Sequence, residues 1–179
     1  MIVILMGVTG SGKTTVGLAL ARATGWQFAD ADNFHSEANR AKMHASIPLT
    51  DEDRAPWLNS LHQQIVTWVD GGTNAILACS ALKESYRTTL IADAPKDSVR
   101  FVYLTGPESV IRERLEGRTG HYMPPSLLPS QLADLEPPKD AIEISVVPAV
   151  PQIVQQILSE LAREGYAGEV GKKQDRGGF

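Results

Sequence analysis

Five short apolar runs punctuate the chain, at Ile2 to Met6, Trp26 to Phe28, Ala75 to Cys79, Phe101 to Leu104 and Ile142 to Val147. Runs this short, bounded by polar and turn-forming residues, predict strands. Between them, apolar residues recur at three- or four-residue spacing. Such patterns run from Thr14 to Ala23, then through Trp57, Leu61, Ile65 and Trp68, through Val110, Ile111 and Leu115, and through Ile153, Ile157 and Leu161. These predict helices, and Pro107 and Pro151 stand where first-turn prolines would open two of them. Strand and helix therefore alternate, which predicts an α/β fold with a mostly parallel sheet covered on both faces. Three stretches interrupt the alternation: residues 30–56, 80–88 and 118–140. All fall at the carboxyl ends of strands or at helix ends, where ligands bind in open α/β sheets, so specificity is sought there.

Composition narrows this picture. With 179 residues, 42% of them hydrophobic, the chain suits one domain, assigned to residues 1–164. Residues 165–179 carry five glycines and a KKQDR cluster without apolar periodicity, and read as a flexible tail. The net charge is −4 with basic and acidic residues interspersed, so no nucleic-acid footprint is visible. Cys79 is the sole cysteine, which excludes an intrachain disulfide framework and fits a reducing cytoplasm. The five-residue apolar start falls far short of the roughly 20 residues of a membrane span and lacks the flanks of a secretory leader, so a soluble protein with no membrane association is expected.

The most specific chemistry lies behind the first run. Gly7-Val-Thr9-Gly10-Ser11-Gly12-Lys13-Thr14 matches GxxxxGK[ST], and it sits between a predicted strand and a predicted helix, the context this motif requires. Its glycines let backbone N–H groups point into one concavity, and the helix N-terminus adds its positive dipole end. Lys13 would reach the β- and γ-phosphate oxygens of a nucleoside triphosphate, and Thr14 would ligate Mg²⁺. These residues, with Thr15, form the candidate ATP site. No NKxD-type guanine signature is present, and the Ala75 to Cys79 run passes into Ser80 instead of ending in an aspartate. A GTPase switch or mechanical ATPase is thereby disfavoured, and small-molecule kinases remain.

Phosphoryl transfer to an alcohol needs a carboxylate near the accepting hydroxyl. Asp30 and Asp32 close the second run, and strand alternation would aim both toward the phosphate cradle. Asp32 is assigned to the hydroxyl, and Asp30 to the metal, directly or through water; helix capping is the structural alternative for both. Next, His35, Asn39 and Lys42 are spaced to share a polar helix face. Pro48 to Leu58 then offers an acidic turn, Arg54, and a Pro56-Trp57 pair that would start a helix, with Asp53 as a possible N-cap. Cys79 to Arg87 places small residues at a strand end beside Arg87, which suits bidentate carboxylate recognition or a surface charge.

The motifs GVTGSGKT, DADNFH with Asn39 and Lys42-Met43, PLTDEDRAPWL, CSALKESYR, RLEGRTGHY and SQLADLEPP resemble, in this order, those of the gluconokinases. These are small ATP-dependent kinases of D-gluconate, related to shikimate kinase and the nucleoside monophosphate kinases. The resemblance spans roughly residues 2–162. It implies a P-loop fold with a five-stranded parallel sheet in order 2-3-1-4-5, a mobile lid, transfer to the 6-hydroxyl and a homodimer. It also implies an acceptor shell of Asp32, His35, Lys42, Arg54, Ser80 and Arg87.

The lid falls at about residues 117–130, where two glycines and three prolines would let the chain hinge. Arg114 and Arg118 are four apart, a like-charge pair that an anion would relieve. Arg118 is assigned to phosphate as a catalytic residue, Arg114 to phosphate or to stacking on adenine, and His121 to lid ordering or no role. Arg112, between Glu108 and Glu116, reads as a surface ion pair. One segment departs from the family pattern: Glu143 to Pro148 lacks aspartates expected near the last strand. The competing readings are another small-molecule kinase of shikimate-kinase type and a regulatory nucleotide-binding protein without turnover.

Overall fold

A computed structural model describes residues 1–45, 47–95, 97–117 and 127–166. The central strand β1, Ile2–Met6, has all five residues fully buried because both of its faces are covered. Val3 and Leu5 join one apolar core, and Ile2, Ile4 and Met6 join the other. A strand covered on both sides has no reason to alternate with polar residues, which explains the unbroken apolar run.

Around β1 lie β2 (Gln27–Asp30), β3 (Ala75–Ala78), β4 (Val99–Thr105) and β5 (Ile142–Ser145). All pairings are parallel, in the order β2-β3-β1-β4-β5, with Leu5 of β1 opposite Ala78 on one side and Val102 on the other. The helices are α1 (Lys13–Thr24), α2 (Glu37–His44), α3 (Asp51–Asp70), α4 (Glu84–Ile91), α5 (Glu108–Glu116), α6 (Leu128–Asp134) and α7 (Val150–Leu161). Apolar residues of α1, α5 and α7 fill the Val3/Leu5 core, while those of α3 and α4 fill the opposite core. No helix among the described residues is long and apolar enough to cross a membrane.

This arrangement fixes where a ligand can sit. The chain leaves β1 toward α1 on one face and leaves β3 toward α4 on the other, so a crevice opens between the carboxyl ends of these adjacent strands. Gly7, just beyond β1, donates its N–H to the carbonyl of Ser80, just beyond β3, at 3.2 Å. The two lips of the crevice are thereby joined.

Two helix starts differ from expectation. α3 begins at Asp51, well before Pro56, because Thr50 and Asp53 form a reciprocal capping box: Thr50 Oγ1 accepts the Asp53 N–H at 3.2 Å and Asp53 Oδ2 accepts the Thr50 N–H at 3.0 Å. Pro56 therefore lies inside the helix, where it forgoes one backbone hydrogen bond. Pro107 is the N-cap of α5, one position before the first turn, whereas Pro151 does lie in the first turn of α7.

Candidate active site

The phosphate loop follows β1 and ends in α1. Gly10 holds φ +80°, and a Cβ there would lie 2.7 Å from Leu115 Cγ; a Cβ on Gly7 would lie 2.6 Å from the Leu104 carbonyl oxygen. Only glycine meets both the backbone angle and the space. Gly12 caps α1 in the left-handed region, and Ser11 is fully buried with its N–H on the Val8 carbonyl at 3.2 Å. Lys13 Nζ donates to the carbonyls of Gly7 and Val8 at 2.9 and 3.0 Å, so its ammonium lies over the loop. Thr9, Gly10, Gly12, Lys13 and Thr14 line a cleft of ≈ 410 Å³. Thr15 is exposed and does not line it.

Asp30 and Asp32 also line this cleft, although strand alternation is not the cause. β2 stops at Asp30, and a short 3₁₀ helix, Ala31–Phe34, takes over. Asp30 does two jobs: Oδ1 accepts the Asp32 N–H at 3.1 Å, capping the 3₁₀ helix, and Oδ2 accepts Thr14 Oγ1–H at 2.8 Å. Capping and the pairing with Thr14 thus occur in one side chain. The cleft presents a carboxylate and a hydroxyl in contact beside a lysine, an oxygen donor set that suits Mg²⁺ next to phosphate.

A second cavity adjoins the cleft, lined in part by Asp32, His35, Arg54, Trp57, Ser80 and Tyr86. α3 supplies its architecture. Trp57 is buried, its Nε1–H donates to the Ala31 carbonyl at 2.8 Å, and its ring stacks on His35 at 4.4 Å between centroids and 9° between planes. One tryptophan thus sets both the turn that carries Asp32 and the imidazole. Burial, with Arg54 and then Arg40 nearby, lowers the His35 pKa to about 4, so the ring is neutral near pH 7. Arg54 Nη1 donates to Tyr86 Oη at 3.1 Å, Tyr86 in turn donates to Asp51, and Lys83 pairs with Asp51 at 3.0 Å. These contacts fasten α3 to α4 and orient the Arg54 guanidinium.

Three expected acceptor residues are placed differently from one another. Ser80 lines both cavities. Lys42 lines neither, because its ammonium is paired with Asp53 at 2.7 Å. The face expected from 35, 39 and 42 does not form: α2 starts at Glu37 behind the Ser36 cap, so His35 precedes the helix, and buried Asn39 donates to the Asp53 carbonyl at 2.7 Å. Arg87 is buried outside both cavities, with Nη1 donating to the carbonyls of Ala81 at 3.0 Å and Leu82 at 2.9 Å. It steadies the turn at Ala81, whose φ of 45° is unusual for a residue with a Cβ.

Arg114 does not line the cleft; its Nη2 donates to the Val146 carbonyl at 2.6 Å and so ties α5 to the turn after β5. Arg112 pairs with Glu108 one turn away. Arg118, His121 and most of the expected lid lie outside the described residues, as does the tail from residue 167. Arg40 and Gln131 line the cleft without having stood out in the sequence. Arg40 Nη1 donates to the His35 carbonyl at 2.6 Å, reaching back from α2 to a residue two positions before that helix begins. Its signal was hidden by the wrong helix face. Gln131 Oε1 accepts the Thr9 N–H at 2.6 Å across 122 residues of sequence, a distance no local pattern reports.

A strand, a glycine loop with lysine and threonine, and an adjoining polar cavity at the switch point of a parallel sheet define a P-loop kinase acting on a small molecule. A family model described as an AAA domain matches residues 2–138. A "probable gluconokinase" of Mus musculus is 45% identical over 89% of this chain and 97% of its own length. The chain belongs to the gluconokinase family. A gluconokinase of Gluconobacter oxydans is 48% identical over 76% of each chain. The crystal structure of a gluconokinase from Sinorhizobium meliloti superposes with a TM-score of 0.81 at 42% identity, covering 92% of this chain and 93% of that one.

Proposed function

We propose that the chain phosphorylates D-gluconate at its 6-hydroxyl, with Mg·ATP as donor and 6-phospho-D-gluconate and ADP as products. The observation that carries this reading is the adjoining pair of cavities: the phosphate cradle and a polar chamber with Arg54 and His35 share Asp32 and Ser80 on their common boundary. The phosphate loop and Lys13 bind and orient the triphosphate, while Thr14 would hold Mg²⁺ and Asp30 would support it directly or through water. The metal supplies charge neutralisation on the phosphate oxygens. Arg54 fits the substrate carboxylate, and neutral His35 fits its hydroxyls. Ser80 adds a further contact, and Arg87 acts behind the turn it braces.

Asp32 aligns the acceptor hydroxyl and takes its proton. The new O–P bond forms at the 6-oxygen, the bond from the γ-phosphorus to the β,γ-bridging oxygen breaks, and the electron pair leaves with ADP. Arg118, on the family resemblance, adds positive charge at the transferring group, as does Lys13. The same resemblance supports a homodimer, and the single cysteine, Cys79, fits a reducing cytoplasm. Asp32→Asn tests the assignment: turnover is expected to fall by a factor of about 10² to 10⁴, the range of general-base contributions, with ADP affinity retained. Unchanged turnover would remove Asp32 from this role.

A further inference from the structure

Three side chains line both the phosphate cleft and the acceptor cavity: Asp32, Ser80 and Gln131. The first two come from the carboxyl ends of β2 and β3, where ligand-binding groups are expected. The third comes from α6, which also brings Ser130 and Asp134 to the acceptor wall. We propose that Gln131 is a positioning residue for phosphoryl transfer, fixing the acceptor hydroxyl relative to the phosphate loop. This inference rests on the kinase reading above.

Its geometry gives the reason. The Thr9 N–H can only donate, so its 2.6 Å contact fixes the amide orientation: Oε1 toward the phosphate loop and Nε2 as the donor end. Asp32, an acceptor when ionised, stands on the same boundary. A hydroxyl between them gives its proton to the carboxylate and receives an N–H on a lone pair, which defines its direction from two sides. The Thr9 bond makes the phosphate loop the frame to which that direction refers. Phosphoryl transfer tolerates little error here, since a displacement of about 1 Å can cost a factor of about 10².

Two variants separate positioning from a simple tie. Gln131→Glu keeps an oxygen for the Thr9 N–H but has no donor nitrogen, and Gln131→Met loses both. Both variants are expected to melt within a few degrees of the wild type, and Gln131→Met, which adds no charge to the cleft, to bind ADP with wild-type affinity. Both should show kcat lowered by at least about ten-fold and a raised KM for gluconate. If Gln131→Glu matches the wild type in kcat and KM while only Gln131→Met is impaired, the residue merely ties α6 to the loop and the proposal is overturned. Wild-type protein that turns over no gluconate would overturn the kinase reading and this inference together; wild-type turnover with an unaffected Gln131→Glu overturns the inference alone.

Discussion

His35 lies against Trp57 with Nδ1 buried and without a hydrogen-bond partner among the described residues. Burial first, then Arg54 and Arg40, lower its pKa from 6.5 to about 4. The unfolded chain therefore binds a proton between these values that the folded chain does not, so this residue makes stability rise with pH across that window. Acidification from pH 6.5 to 4.5 is expected to cost about 2 kcal/mol through His35, a loss that urea titrations would detect and His35→Gln would largely abolish. An equal pH slope in the variant would contradict the assignment. At the site, a neutral imidazole can meet hydroxyls without adding to the charge of Arg54. His35, Arg54 and Ser80 entered the acceptor shell through the family resemblance, and the fold brings all three to the second cavity. Lys42 and Arg87 were legible as residue types only: whether a cation faces a ligand, as expected, or Asp53 and the Ala81 turn, as found, depends on packing that spacing does not encode.

At the scale of elements, the phosphate loop is held by its neighbours as much as by its own glycines. α5 closes on it so tightly that a Cβ at Gly10 would meet Leu115 Cγ at 2.7 Å and Ile111 Cγ2 at 3.0 Å, at a φ of +80°. Gly10→Ala is expected to cost about 1–3 kcal/mol from backbone strain and a similar amount from overpacking. It should weaken ADP binding as the loop shifts, and thermal melting with and without ADP would show both. A variant that melts and binds like the wild type would mean that α5 yields freely. The strands and the long helices were legible because apolar periodicity is a direct image of burial. The start of α3 is not evident from spacing, because Pro56 is a louder signal than the capping box of Thr50 and Asp53, six and three residues earlier. Asp32 was correctly placed in the cleft for an incorrect reason, since a 3₁₀ turn and not the strand presents it.

For the whole molecule, two apolar cores on opposite faces of one sheet force the connections after β1 and β3 to diverge, and the active-site crevice follows from that divergence. The strand order was implied by the family resemblance and not by periodicity, because pairing between distant strands leaves no local trace. The same is true of Gln131 and Thr9, which the fold brings together from opposite ends of the domain. The crevice holds a donor half and an acceptor half, and the acceptor half must admit a hydroxylated carboxylate. The most direct measurement is ADP release by the wild-type protein with Mg·ATP, coupled to a spectrophotometric readout, across D-gluconate, shikimate, related sugar acids and nucleoside monophosphates. Turnover dependent on D-gluconate, with the other acceptors near background, is the predicted result. Turnover with another acceptor and none with gluconate, or ATP binding with no acceptor-dependent turnover, would contradict it.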